Sequence, residues 1–271
     1  MKILVTNDDG ILADGLWKLV GELKRIGQVV VVAPAREQSA IGTAVTLRQP
    51  LSVQRATPVV PGVEAYSVEG TPADSVILAL GKLATNQIDL VASGINSGLN
   101  LGEDVFISGT VGAALQGHFH GLPSLAISMD TANSSHLEGA AKLAALLAQK
   151  IDSNALPRDV FLNVNLPNLP LEKIKEVRVT RLANQSHGND VAVGQENDEE
   201  QPHYWLVRQR LSKATDTKTD IWAIQQGNIS ITPLYTNLFS RPSTDVTDTL
   251  CSDLLQELRE SKTAEKVSDS Y

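Results

Sequence analysis

The chain has 271 residues, a formal net charge of -8, and a composition that is 42% hydrophobic but only 4% aromatic. That length suits one large α/β domain or a domain with an elaboration, and its core must be aliphatic, as in a parallel sheet covered by helices. The negative charge argues against nucleic-acid polymers and anionic membranes as partners. A single cysteine, Cys251, excludes an intrachain disulfide and a cysteine-based zinc site. No apolar run reaches spanning length and no signal peptide is evident, so the expectation is a cytoplasmic protein.

In chain order, Ile3-Leu-Val5 is a short buried strand stopped by the turn formers Thr6-Asn-Asp-Asp-Gly10. Asp14 to Gly27 has helical spacing at Leu16, Leu19, Val20, Leu23 and Ile26, with Asp14 read as N-cap and Gly27 as the residue past the C-cap. Val29 to Val32 is the next strand, which makes a right-handed parallel βαβ unit. Residues 45 to 53 read as edge strands and 66 to 70 as an extended piece. Thr71-Pro-Ala-Asp74 opens a helix. Ile88 to Ala92 is a strand running into a Gly- and Asn-rich loop, and Ser108-Gly-Thr110 precedes a helix over 111 to 120.

Residues 123 to 129 form a further strand, and Ser135-His-Leu-Glu138 reads as a capping box for a helix to Lys150. Residues 160 to 165 and 177 to 180 are strands. Past Arg181 the texture changes: 184 to 202 is polar, with an acidic run at Glu196 to Glu200 that reads as a solvated loop, while 203 to 211 reads as an exposed strand and 228 to 234 as a late strand. Leu254, Leu255 and Leu258 suggest a short helix before a frayed tail.

Adjacent carboxylates after a buried strand repel, and a divalent metal is one way to hold them. A polar turn with two solvated aspartates is the plain alternative. In an open parallel sheet, ligands bind beyond the carboxyl ends of the strands, and four segments place polar residues there: Asp8 and Asp9, Ser39, Asn96, and the Ser108-Gly-Thr110 turn at a helix N-terminus. An all-oxygen set suits Mg²⁺ or Mn²⁺ and not zinc. Taken singly, Ser39, Asn96 and Ser108 have ordinary turn or capping roles open to them. The pattern gains weight because all four lie at strand-to-helix junctions.

Thr6-Asn-Asp-Asp-Gly10, Ala33-Pro-Ala-Arg-Glu-Gln-Ser39, Gly70-Thr-Pro-Ala-Asp74, Ser93-Gly-Ile-Asn96 and Ser108-Gly-Thr-Val-Gly-Ala113 together resemble the SurE (survival protein E) family. The resemblance is dense to about residue 130 and returns at 221 to 234. It implies a three-layer, Rossmann-like, mostly parallel sheet over 1–181, and a C-terminal extension over 182–271 with a β-hairpin or arm used in oligomerisation. It implies a divalent-metal-dependent phosphomonoesterase acting on nucleoside 5′- and 3′-monophosphates, with short polyphosphate as a further substrate. It further implies one Mg²⁺ or Mn²⁺ ion on Asp8, Asp9, Ser39 and Asn96, phosphate held by Ser108, Gly109 and Thr110, and a homodimer or homotetramer. Ser97 stands where the family commonly has His, and Ala40-Ile-Gly-Thr43 where it is commonly Gly- and Ser-rich.

In that reading Asp8 takes a proton from water or attacks phosphorus. The Asp-x-Asp of aspartyl-phosphate phosphatases, the Gly-x-Gly-x-x-Gly of Rossmann dehydrogenases and the P-loop lysine motif are all absent. The competing class is a non-catalytic or slow nucleotide-binding or assembly protein on the same fold.

Overall fold

The structure is a computed structural model and describes residues 1–84, 87–130, 136–193, 203–210 and 214–236. β1 (Lys2–Thr6) carries Ile3, Leu4 and Val5 with no exposed surface. A strand apolar on both faces must lie inside a sheet covered on both sides. Ile3 and Val5 pack with the apolar faces of α1 (Asp14–Leu23) and α4 (Leu137–Asp152), whereas Leu4 packs with Val76 of α2 (Pro72–Leu78) and Ala113 of α3 (Gly109–Phe119). The alternation of one strand therefore sets three layers.

The other strands are β2 (Gln28–Pro34), β3 (Val53–Arg55), β4 (Glu64–Val68), β5 (Leu90–Ser97), β6 (Ser124–Met129), β7 (Phe161–Leu166), β8 (Val177–Val179), β9 (His187–Val193), β10 (Tyr204–Arg210) and β11 (Ile229–Pro233). Among the described residues one sheet of nine strands runs β3-β4-β2-β1-β5-β6-β7-β11-β8. From β4 through β7 every pairing is parallel, and β3 and β11 join antiparallel. Residues Met1–Leu234 make one compact unit. β11 lies beyond residue 181 and yet sits inside the main sheet between β7 and β8, so the expected boundary falls within this unit.

Several local expectations are corrected. Ala13, not Asp14, is the N-cap of α1, and Asp14 is the first helical residue, still favourably placed for the helix dipole. Gly27 stands well past the helix end; a Cβ there would lie 2.2 Å from the Met1 carbonyl oxygen, so close backbone approach explains the glycine. Residues 45 to 52 form no strand, because the backbone and hydroxyl of Thr46 bond Asp74 instead of a neighbouring strand. β5 continues through Ser97 where a loop was expected. Gly94, at φ +135°, sits where a Cβ would meet the Ile127 carbonyl at 2.3 Å, and the pairing with β6 shifts between Ser93 and Asn96 without ending.

The N-cap of α4 is His136, with no side-chain cap, and Ser135 lies outside the described residues. β9 forms within the polar stretch before the acidic run, where no strand was expected, because pairing with β10 supplies what its polar composition does not announce. α5 (Asp220–Gln225), capped by Thr219, was not foreseen, being too short for a periodic signal. The acidic run at 196 to 200 and the leucines at 254 to 258 lie outside the described residues.

Buried polar groups lock the loops onto the sheet. Asn100 donates its backbone N–H to Asn165 Oδ1 and its amide to Ser128 Oγ, and its carbonyl accepts from the amides of Asn163 and Asn165. Gly102 N–H donates to Asp220 Oδ2. Glu103 accepts from the N–H groups of Ser186 and His187, and Asp104 Oδ1 lies 3.0 Å from Arg208 Nη2, which ties the β9–β10 hairpin to the turn before α3.

Asp74 is a further anchor of this kind. It is 1% exposed and accepts from Thr71 N–H at 2.9 Å, Thr46 N–H at 2.8 Å and Thr46 Oγ1 at 2.7 Å. Asp74→Ala leaves these donors without their acceptor and is expected to lower unfolding free energy by about 3 kcal/mol, read by urea denaturation.

Candidate metal and phosphate site

The strand order places the site. The chain leaves β1 for β2 and β4 on one side and returns to its other side with β5, so β1 and β5 flank the topological switch point. Crevices at such points open beyond the strand ends. Thr6 pairs with Ser93, so Asp9 and Asn96, each three residues further on, reach the same level. A hydrogen bond ties Asp9 to the residue after Asn96: Ser97 N–H donates to Asp9 Oδ2 at 3.0 Å.

Asp8 is 4% exposed and faces the first turn of α3. Thr110 Oγ1 donates to Asp8 Oδ1 at 2.5 Å, and Gln38 N–H donates to the Asp8 carbonyl at 2.8 Å. A Cβ on Gly109 would come within 2.8 Å of Asp8 Cβ, so only glycine lets the helix start this close to the carboxylate. Ser108 is the N-cap, its Oγ accepting from Val111 N–H at 3.1 Å. Ser108 Oγ accepts in the cap and keeps its own proton, Thr110 Oγ1 donates to Asp8, and Val111 N–H is taken by the cap, so the Ser108 hydroxyl and the N–H groups of Gly109 and Thr110 are the candidate anion donors of the first turn, with the helix dipole behind them.

Ser39 is exposed, and its Oγ donates to Glu37 Oε1 at 2.5 Å. Asn96 donates its amide nitrogen to the Gly98 carbonyl at 2.8 Å, which turns its amide oxygen the other way. A cleft of about 400 Å³ is lined by Asp9, Asp14, Glu37, Ser39 and Ser97, with no basic residue among the side chains lining it. Burial pushes the Asp8 carboxyl up to about 6; the Thr110 hydroxyl works against this and the neighbouring Asp9 adds to it. Asp9 is also raised, first by burial, with the Ser97 N–H opposing and Glu37 reinforcing.

Two carboxylates strained toward protonation, an accessible hydroxyl and an oriented amide oxygen fit a hard divalent cation. Beneath them Asn7 Oδ1, Thr6 Oγ1 and Ser93 Oγ are buried without a protein partner. No group of three or more His, Cys, Asp or Glu is placed to hold a metal among the described residues, so an ion here depends on the hydroxyl and the amide as well. Sequence reasoning missed Glu37, Gly42 and Asp74 as parts of this region. Gly42, at φ +64°, donates its N–H to the Ile107 carbonyl at 2.8 Å and admits Gly112 against its own carbonyl, so it clamps the Ser39 loop to α3. An isolated glycine in a polar loop was its only signal.

Known proteins resemble this chain in sequence and in fold. Residues 3–189 match the family described as Survival protein SurE. The chain is 52% identical to the 5′-nucleotidase SurE of Dehalococcoides mccartyi over 261 residues, covering 96% of this chain and 98% of that protein. It is 44% identical to the 5′-nucleotidase SurE of Legionella pneumophila over 238 residues, covering 88% and 92%. The crystal structure of the SurE protein from Aquifex aeolicus superposes with a TM-score of 0.75 at 34% identity, over 96% of this chain and all of that one.

Two outcomes test the geometry. Gly109→Ala displaces Asp8 and is expected to lower kcat/KM about 100-fold in a phosphatase assay. The folded Asp8 carboxyl, at about 6, lies above its ordinary 3.8, so folding takes up a proton between those values. The stability this provides is complete below 3.8 and lost as pH rises through about 6. In metal-free buffer Asp8→Asn is expected to be more stable than the parent by about 3 kcal/mol at about pH 8, with the gap closing toward about pH 4, read by denaturant titration.

Proposed function

The chain belongs to the SurE family, and from that premise we propose that it is a divalent-metal-dependent 5′-nucleotidase, hydrolysing nucleoside 5′- and also 3′-monophosphates to nucleoside and phosphate. The names of its relatives and the placement of Asp8 against the first turn of α3 support this reading. SurE nucleotidases generally depend on a divalent metal. One Mg²⁺ or Mn²⁺ ion is assigned to Asp8, Asp9, Ser39 and Asn96; when bound it supplies polarisation of a phosphoryl oxygen and a site for the attacking water.

The chain's own residues carry the remaining work. The N–H groups of Gly109 and Thr110 receive the phosphoryl oxygens at the helix N-terminus, where the dipole favours negative charge. Ser108 holds that turn open by capping it. Asp8 takes the proton as water attacks phosphorus, and the ester oxygen leaves with a proton returned to it. Thr110 keeps Asp8 oriented through its hydroxyl. Asp9 is fixed by the Ser97 N–H and so keeps one oxygen turned to the cleft.

The nucleotide substrate and a single cysteine support a cytoplasmic setting. No helix among the described residues is long and apolar enough to cross a membrane. Assembly as a homodimer or homotetramer is assigned to the part of the chain past Arg181 that lies outside the main sheet, the β9–β10 pair included. Tyr204, Trp205 and Leu206 of β10 are 63%, 68% and 85% exposed, an apolar run of the kind that interfaces cover.

Phosphate release from nucleoside 5′- and 3′-monophosphates and from tripolyphosphate, with Mg²⁺ or Mn²⁺, tests the reading. Activity is expected with the monophosphates, to be abolished by EDTA, and to fall in Asp8→Asn by about 1,000-fold or more. Activity that survives EDTA or the Asp8 substitution overturns the mechanism.

A further inference from the structure

The Ser39 loop contains a carboxylate that the mechanism has not used. Glu37 lines the same cleft as Asp9 and Ser39, and its Oε1 accepts the Ser39 hydroxyl proton at 2.5 Å. Arg36, beside it, points its charge elsewhere, to Glu69 at 3.4 Å. The loop is pinned on either side of the pair: Ala35 N–H bonds the Val68 carbonyl, Gln38 N–H the Asp8 carbonyl, and Gly42 N–H the Ile107 carbonyl. Between these pins Ala40 takes φ +55°, a left-handed conformation that L side chains rarely adopt. The backbone around Ser39 is thus held in one path, and the direction of its hydroxyl is left to Glu37.

We propose that Glu37 is a positioning residue that orients Ser39 as a metal ligand. The inference rests on the metal-dependent reading above. A serine hydroxyl has one proton and two lone pairs. When the proton goes to Glu37, a lone pair is available to a cation. Without that acceptor the exposed hydroxyl rotates, and some of its orientations aim the proton at the ion. Ligand-orienting partners of this kind tune affinity although they do not touch the metal.

The test is Mn²⁺ binding to the full chain by isothermal titration calorimetry, without substrate, for the parent, Glu37→Ala, Glu37→Gln, Ser39→Ala and Ser39→Ala with Glu37→Ala. Glu37→Ala is expected to weaken Mn²⁺ binding by about tenfold or more. Glu37→Gln keeps an acceptor oxygen and is expected to retain most of the affinity. In the Ser39→Ala background Glu37→Ala is expected to add nothing, because its partner is gone. Glu37 is exposed, so metal-free melting of Glu37→Ala is expected to match the parent. Affinity unchanged in Glu37→Ala overturns the proposal. So does equal weakening by Ala and Gln that persists without Ser39, since Glu37 then acts through charge alone. Failure of the parent to bind Mn²⁺, or full binding by Asp8→Asn, overturns the metal reading itself and the inference with it.

Discussion

The hydrogen bond from Thr110 Oγ1 to Asp8 joins the end of the central strand to the start of a helix on the opposite side of the switch point. Everything at the site is arranged so that this contact can exist. Gly109 has no side chain because one would collide with Asp8. Ser108 caps the helix, so the turn is satisfied without the carboxylate being consumed by it. Burial raises the Asp8 carboxyl, and the threonine hydroxyl and the helix dipole oppose that rise. The result is a buried carboxylate, raised above its ordinary range, facing the N-terminus of α3.

A second constraint comes from how the Ser39 loop is held. It carries no regular structure from 35 to 52, yet it bonds Asp8 through Gln38, Ile107 in the turn before α3 through Gly42, and the start of α2 through Thr46. Asp74 does two jobs there: it completes the capping box of α2 and receives Thr46. The loop after Asn96 is held likewise, by an amide network from Asn100 to Asn163 and Asn165. The irregular segments beside the candidate oxygen donors are thus tied down by hydrogen bonds at several points, which preorganises those donors.

Much of the framework was readable before folding was considered. The aliphatic runs at 3–5 and 29–32 fix parallel strands because buried strands need apolar residues on both faces. Thr71-Pro-Ala-Asp74 marks its helix by capping chemistry alone, and the structure forms the box it announces. The signals failed where a partner far along the chain decides the outcome. β9 is polar and becomes a strand only through β10. Asn96 lies in a strand, not a loop, because Gly94 lets β5 continue past a close approach to β6. Residues 45 to 52 lost their expected strands to bonds with Asp74.

The sequence by itself determined the chemistry on offer: two adjacent carboxylates after a strand, oxygen-bearing residues at other strand ends, and a small-residue turn before a helix. These are local, since residue type and spacing fix donors, caps and turn formers. Only the tertiary structure decided which groups remain available. It set the Ser108 oxygen to accept in the helix cap and the Thr110 hydroxyl to donate to Asp8. It also turned Glu37 toward Ser39 and buried Asp8 more deeply than Asp9. The reason is physical: hydrogen-bond partners and burial depend on contacts across the sheet, which spacing along the chain does not encode.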